Sequence, residues 1–281
     1  MIIQNICNYK SFNLGDRSSS PFSYFTCSSP VNIFNIHKLE TNIPQKECKS
    51  ISKIDFENPI IFGGGGLLYY RNEIFNWYKL FKYSILNSRS KIICWGIGLN
   101  DYCSSDLPNF LKNISLVGMR SLENNYFFVP CPSCLNIEFD IIEQPKTDFV
   151  VYEHYENNIK EHLDFPRKKN NGNFAETIKF LSSGETVITN TYHGLYWATL
   201  LKRKVILMDS DGSSRFAKFP FPFLCASRKS EIFKLSKKSN IYEDSLLLCR
   251  SLNIDFSKKV SELLEVDFRL KKNPSVMQIK I

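Results

Sequence analysis

The chain has no apolar segment long enough to span a bilayer. No window of the 281-residue sequence approaches the roughly 18 consecutive apolar residues of a transmembrane helix. The residues after Met1 also lack the basic region and the long apolar stretch of a secretory signal. We therefore expect a cytoplasmic protein.

The sequence also has little that would build a disulfide framework or a metal site. Its nine cysteines are odd in number and scattered through apolar segments, which indicates buried thiols. Cys131 and Cys134 form a CxxC, but zinc needs four ligands, and neither a second CxxC nor a closely spaced histidine pair is present. We predict a structural or substrate-lining loop here, favoured over a redox or metal site, and no bound metal.

Signatures of nucleic-acid binding are missing too, although the chain is basic. Lys and Arg number 36 against 28 Asp and Glu, which gives a net charge of +8 and favours anionic partners. No RNP, KH or zinc-finger pattern occurs, and most aromatic residues fall on apolar periodic positions. We expect an anionic small molecule as partner and no nucleic acid. A peripheral contact with the inner face of the cell membrane stays open.

Short apolar runs alternate with longer amphipathic runs, which predicts an α/β fold with parallel sheets and helices on both faces. The predicted strands are Met1–Cys7, Pro59–Phe62, Lys91–Trp95, Ser115–Met119, Asp148–Tyr152, Glu185–Thr189 and Lys204–Met208. The predicted helices are one capped by Asp16 or Ser18 that runs through Phe25, then residues 71–86, Asn173–Ser183 and Gly194–Leu201.

The pattern weakens near residue 143 and then restarts. We therefore predict two Rossmann-like doubly wound domains, residues 1–143 and 144–281, which face a cleft at the carboxyl ends of their strands. Residues 160–172 are predicted to form an exposed polar loop. The tail over Lys258–Lys272 is predicted to be a charged helix that packs back on the body, with membrane contact as the alternative.

The first candidate site follows the first predicted strand, at Asn13-Leu-Gly-Asp16. Gly15 permits a tight turn, and Arg17 lies beside a predicted helix start, where free amides can bind an anion. A polar turn with a helix cap is the alternative interpretation.

A run of glycines follows the second predicted strand: Gly63, Gly64, Gly65 and Gly66. Because glycine loses much backbone entropy on folding, the run predicts close approach of a ligand, which we favour, or tight packing of a helix. It is not a P-loop, since no Gly-Lys-Ser/Thr follows. Gly96 and Gly98 follow the next strand and are expected on the same rim.

His193 is the main candidate for chemistry. It follows the strand Glu185–Thr189 in Thr189-Asn-Thr-Tyr-His-Gly194, where Asn190 or Thr191 can cap a helix. A helix N-terminus attracts anions and favours a neutral imidazole, which suits a residue that passes a proton. A structural histidine is the alternative.

Basic residues follow the strand Lys204–Met208. Arg215 and Lys218 can hold a carboxylate or phosphate, or can belong to a solvated loop. The remaining candidate substrate-binding residues are Asn100, Arg120, Ser133, Asn190, Tyr192, Gly194 and Ser214.

Taken in order, these motifs resemble those of the polysaccharide pyruvyl transferase family. The matching segments are Asn13–Asp16, Phe62–Gly66, Trp95–Gly98, Val117–Ser121, Thr189–Gly194 and Lys204–Leu207, and the resemblance covers about residues 10 to 225. It implies a two-domain, GT-B-like fold. It also implies transfer of the enolpyruvyl group of phosphoenolpyruvate to a sugar, which forms a pyruvate ketal on a cell-surface glycan.

By this resemblance, His193 corresponds to the histidine of the family's Arg-x-His segment, and Thr191 stands where the arginine would be. Anion binding would then fall to Arg215, Lys218, Arg17 or Arg120. His193 is the expected proton carrier, and Asp16 or Glu153 would act on the acceptor hydroxyl. The donor would be phosphoenolpyruvate, no cofactor is required, and the acceptor would be a glycan or lipid-linked sugar.

Two other classes of function stay open. One is a GT-B-type glycosyltransferase that uses a nucleotide-sugar. The other is an inactive protein that binds a glycan or phosphosugar.

Overall fold

The protein is a mixed α/β molecule with two parallel sheets, consistent with a Rossmann-like organisation. The structure, a computed structural model, describes residues 1–36, 54–69, 88–100, 111–123, 125–141, 143–208, 216 and 218–274. The helix predicted over residues 71–86 lies outside the described residues. The predicted α/β class is confirmed, and the predicted GT-B-like arrangement stays a prediction.

The described chain forms two compact units, each made of three segments. Unit 1 contains Met1–Ser11, Asp16–Ser133 and Leu252–Lys272, and unit 2 contains Phe12–Gly15, Cys134–Ser251 and Asn273–Ile281. The predicted division into domains at residue 143 stays a prediction.

The sheet of unit 1 is parallel throughout, in the order β3-β1-β4-β5-β6-β7. Its strands and a short separate strand, β2, are β1 (Ile3–Cys7), β2 (Phe25–Cys27), β3 (Val31–Asn35), β4 (Ile60–Tyr69), β5 (Ile92–Asn100), β6 (Leu116–Met119) and β7 (Phe127–Phe128). Apolar runs at the start of β4 and of β5, together with Ile6 of β1, contribute to the apolar core of unit 1. Such continuous apolar runs suit parallel strands that are covered on both faces.

The sheet of unit 2 is also parallel, in the order β12-β11-β10-β8-β9. Its strands are β8 (Thr147–Glu153), β9 (Arg167–Lys169), β10 (Gly184–Thr189), β11 (Lys204–Met208) and β12 (Leu224–Ala226). Three helices in this unit are α2 (Phe174–Ser182), α3 (Tyr192–Leu200) and α4 (Lys229–Ser236); a short earlier helix, α1 (Leu14–Arg17), begins in the same unit.

Several predicted boundaries are wrong, and each has a local reason. The helix expected through Phe25 is only the single turn α1, because Pro21 lacks an amide donor and begins a separate 3₁₀ turn before β2. The loop expected over residues 160–172 contains the edge strand β9, which pairs with β8. The strands expected to end before their glycines instead continue through them, since Gly63 pairs with Trp95 and Gly65 with Ile97 in the ladder of β4 and β5.

The C-terminal tail is only partly as expected. Helix α5 spans Ser245–Leu264, and strand β13 (Phe268–Leu270) then pairs antiparallel with β2, so the expected helix through Lys272 is wrong beyond Leu264. The tail packs back on unit 1, as predicted: Asn253 accepts a hydrogen bond from Trp95 Nε1 at 3.0 Å, and Val260 is fully buried. In the described parts of the chain, every helix is too short or too polar to cross a bilayer.

Candidate active site

His193 lies in the first turn of α3, at the carboxyl end of β10. Thr191 caps this helix, because its side-chain oxygen accepts a hydrogen bond from the Gly194 amide at 2.9 Å. Thr189 in turn accepts from the Thr191 amide at 3.1 Å. The predicted cap is confirmed at Thr191. A Cβ on Gly194 would lie 2.1 Å from the Thr189 hydroxyl, so only glycine fits there.

The imidazole of His193 is held between aromatic rings and a glycine. Its exposed fraction is 5%, and its ring centroid lies 5.1 Å from that of Trp197 and 5.4 Å from that of Tyr192. A Cβ on Gly15 would lie 1.9 Å from His193 Nδ1, so the Gly15 backbone packs directly onto the ring. The structure therefore brings together two residues that lie far apart in the sequence and that were both predicted as site residues.

The turn over Asn13–Gly15 is stabilised by the side chain of Asn13. Asn13 Oδ1 accepts a hydrogen bond from the Gly15 amide at 3.0 Å, which supports the first turn of α1. The Leu14 amide donates to the carbonyl of Asn170 at 2.8 Å and ties the turn to the end of β9. Asn13 thus positions Gly15 against the imidazole, and its predicted contact with substrate stays a prediction.

Two other predicted polar residues hold the loop after β8. Asn190 accepts from the His154 amide at 2.9 Å and donates to the Asn157 carbonyl at 2.7 Å. Glu153 is 4% exposed, and its Oε2 accepts from the Ile159 amide at 2.9 Å. The same oxygen accepts from Arg167 at 3.1 Å. Contact of Asn190 or Glu153 with a substrate stays a prediction.

In unit 1, Asp16 lies among polar residues at the carboxyl end of β1. Asn8 and Ser11 donate to Asp16 Oδ2, each at 3.4 Å. A Cβ on Gly65 would lie 3.5 Å from Asp16 Oδ1. Asn8 is 4% exposed, and its Oδ1 has no hydrogen-bond partner among the described residues. Asn8 was not predicted as a site residue, although its place directly after the first strand was a usable signal.

The glycines of β4 are explained largely by protein packing. A Cβ on Gly64 would lie 1.7 Å from the Ser19 carbonyl oxygen, and one on Gly63 would lie 2.5 Å from Pro21. Gly64 and Gly65 also have φ angles of +70° and +83°, which other residues rarely adopt. The segment after α1 therefore packs tightly on this strand; the tight packing that was the less favoured alternative is present, but it comes from a loop and a 3₁₀ turn and not from an α-helix. Contact with a ligand stays a prediction.

Unit 1 also contains a buried arginine among the candidate site residues. Arg120, directly after β6, is 4% exposed, and a Cβ on Gly98 would lie 1.9 Å from its Nε. Burial raises the pKa of the Cys131 thiol, the Ser133 hydroxyl and the charge of Arg120 lower it, and the charge of Asp16 raises it. Both charged side chains therefore act on this thiol.

Cys131 and Ser133 lie in the CxxC loop. Cys131, Cys134 and Ser133 are fully buried, and the Ser133 hydroxyl donates to Cys131 Sγ at 3.2 Å. The raised pKa keeps the Cys131 thiol protonated at neutral pH, so it is a weak nucleophile. The expected buried thiols are confirmed for five of the described cysteines, whereas Cys27 is half-buried and Cys225 is exposed.

For the remaining predicted residues, the structure gives little beyond their burial. Ser214 and Arg215 lie outside the described residues, and only the backbone of Asn100 is described, as the last residue of β5. Lys218 is exposed and Arg17 is half-buried. Tyr192 is buried, stacked on Tyr196 at 6.1 Å between ring centroids.

Parallel sheets with polar side chains after their strands define an α/β protein of the kind that binds ligands at the carboxyl ends of its strands. Residues 30–212 match the family model of the polysaccharide pyruvyl transferases, and the chain belongs to that family. The resemblance predicted from the motifs is thereby confirmed. Membership supports a polysaccharide-modifying transferase.

A solved structure from Klebsiella pneumoniae subsp. pneumoniae NTUH-K2044, of a protein described as functionally uncharacterized, is similar to this chain. The two share 15% sequence identity, with 81% of this chain and 92% of that chain covered and a TM-score of 0.49. No protein with a curated description matches the chain.

Proposed function

We propose that this protein transfers the pyruvyl group of phosphoenolpyruvate to two hydroxyls of a sugar on a cell-surface glycan precursor. The observation that carries the proposal is His193, in the first turn of a nine-residue helix, with Gly15 packed on its ring. Family membership supplies the class of reaction.

His193 is the proposed proton carrier. The imidazolium form of His193 can give a proton to the methylene carbon of phosphoenolpyruvate, and the neutral imidazole that results can accept a proton from an attacking hydroxyl. Packing against Trp197 and Gly15 restricts the ring to one place, which lowers the entropic cost of the reactive geometry.

The donor carries a carboxylate and a phosphate, so it needs cations and backbone amides. Arg120 is a buried cation and the start of α3 offers amides, whereas Thr191 replaces the arginine expected of the family. We assign Arg120 to anion binding, with Arg17, Lys218, Ser214 and Arg215 as further candidates.

The proposed reaction begins with protonation of the enol methylene, which creates an oxocarbenium-like carbon. A sugar hydroxyl attacks this carbon and loses its proton to a base, for which Asp16 is the second candidate. Inorganic phosphate leaves, and a second hydroxyl of the same sugar closes the ketal. The scheme requires no metal and no cofactor.

The test is phosphate release from phosphoenolpyruvate in the presence of a panel of soluble and lipid-linked bacterial oligosaccharides. His193→Gln should lower kcat by about a hundred-fold or more, because general acid–base catalysis contributes at least that much. His162→Gln is the matched control, since its side chain is 89% exposed in the same unit.

Other outcomes would contradict the proposal. Nucleotide release from a nucleotide-sugar, without phosphate release from phosphoenolpyruvate, would identify a glycosyltransferase. Ligand binding without turnover would identify a binding protein. Loss of stability in His193→Gln without a selective loss of kcat would make His193 a structural residue.

A further inference from the structure

Three aromatic rings of unit 2 form a row that we call the aromatic platform: Phe12, Tyr155 and His154. The ring centroids of Phe12 and Tyr155 lie 6.4 Å apart, and those of Tyr155 and His154 lie 4.7 Å apart. Phe12 is 77% exposed, while the other two rings are half-buried. A contiguous cluster of rings that reaches the solvent marks an interaction surface more often than a single exposed apolar residue does.

One buried residue, Asn170, is hydrogen-bonded to the backbone of both segments that carry the rings, near Phe12 in one segment and at Tyr155 in the other. Asn170 is 1% exposed; its Oδ1 accepts from the Tyr155 amide at 2.8 Å and its carbonyl accepts from the Leu14 amide at 2.8 Å. The Asn170 amide donates to the Glu153 carbonyl at 2.9 Å. The backbone on both sides of the platform is therefore hydrogen-bonded to Asn170, although the ring of Phe12 is exposed.

The same hydrogen-bonded segments connect to the residues that hold His193. Asn190, which accepts from the His154 amide, directly precedes the Thr191 cap of α3, and Phe12 lies three residues before Gly15, the glycine that packs on the imidazole. Each end of the platform is thus connected through a short, hydrogen-bonded segment to the residues that hold His193.

We propose that the aromatic platform binds one sugar ring of the acceptor glycan by stacking. The inference rests on the proposed function, which requires a glycan beside His193. A pyranose ring has a face of C–H groups, and the negative face of an aromatic ring attracts such groups while both surfaces leave water. A fixed row of rings offers this contact with little loss of side-chain entropy, because Phe and Tyr have two side-chain torsions each.

The test is saturation-transfer NMR with lactose, cellobiose and N,N′-diacetylchitobiose as soluble probes, in the absence of phosphoenolpyruvate. At least one probe should receive saturation on the C–H protons of one ring face. Phe12→Ala and Tyr155→Ala should each weaken its binding roughly three- to ten-fold, the range expected for one aromatic stacking partner. Phe12→Trp should retain binding, and Phe12→Leu should weaken it about as much as Phe12→Ala does, since leucine keeps apolar area without a π face.

The matched control is Ile141→Ala, which removes an apolar side chain of unit 2 that is 69% exposed and should leave probe binding unchanged. If no probe shows saturation that depends on Phe12 and Tyr155, the proposal is wrong. It is also wrong if Phe12→Ala instead abolishes binding to phosphatidylglycerol vesicles, because the platform would then contact membrane. Since the assay contains no donor, failure of pyruvyl transfer and failure of the platform give different results.

Discussion

Replacing Gly15 by alanine tests the contact on which the candidate site depends. The added Cβ would lie 1.9 Å from Nδ1, 2.3 Å from Cγ and 2.5 Å from Cε1 of His193. An ordinary contact begins near 3.4 Å, so ring and backbone must separate by about 1.5 Å. The ring is 95% buried beside Trp197, and it has little room to withdraw.

We expect Gly15→Ala to lower the free energy of unfolding by about 1–3 kcal/mol, the usual cost of overpacking a filled core. The same change should cost little, or even stabilise slightly, in a His193→Ala background, because alanine is the better helix former and the clash is gone. In the Gly15→Ala single variant, turnover should fall because the imidazole of His193 is displaced.

Urea unfolding of the four proteins, followed by tryptophan fluorescence, gives the coupling between the two positions as a double-mutant cycle. A coupling of at least about 1 kcal/mol is expected. If Gly15→Ala costs the same with and without the imidazole, the two residues do not touch, and the argument for Gly15 as the support of His193 fails.

Three further predictions follow from other contacts. Gly98→Ala should displace Arg120, 1.9 Å from the new Cβ, and raise the KM for phosphoenolpyruvate without lowering kcat; an unchanged KM would remove Arg120 from donor binding. Arg250→Met should cost on the order of 3 kcal/mol in urea unfolding, because it breaks a 2.6 Å ion pair with Asp140 and two bonds to carbonyls; a loss under about 0.5 kcal/mol would refute this. Burial raises the pKa of Cys7 from 9.0 to about 11, so over this pH range the folded state keeps a proton that the unfolded chain loses. Cys7 should therefore contribute about 2–3 kcal/mol to the loss of stability as the pH rises through this range, in addition to other buried thiols such as Cys94 and Cys131. A Cys7→Ala variant that loses as much stability as the unchanged protein over this range would contradict the prediction.

The sequence was most informative where structure depends on neighbouring residues. The strands β6, β8, β10 and β11 were predicted within one residue at each end, because β-branched apolar runs between turns are a local signal. The Thr191 cap was predicted for the same reason, since a cap hydrogen bond joins residues two or three apart. Family membership also followed from the order of short motifs.

The sequence did not predict that β4 and β5 continue past their glycines. Gly63 to Gly66 look like a turn in isolation, but Gly63 and Gly65 pair with residues of β5, so β4 continues through them with an irregularity in the register between Gly65 and Leu68. The tail strand β13 likewise exists only because β2 is there to pair with it. Strand identity at such places is a property of the partner, which local propensity does not contain.

The sequence by itself determined the α/β class, the candidate histidine and the cap that starts its helix. Only the tertiary structure decided that Gly15 packs on His193, that Gly98 makes room for Arg120, and that Asn170 holds the segments of both Phe12 and Tyr155. The physical reason is that these contacts join residues far apart in the chain. Their specificity comes from shape and hydrogen bonding in the folded core, where a single added methyl group is felt.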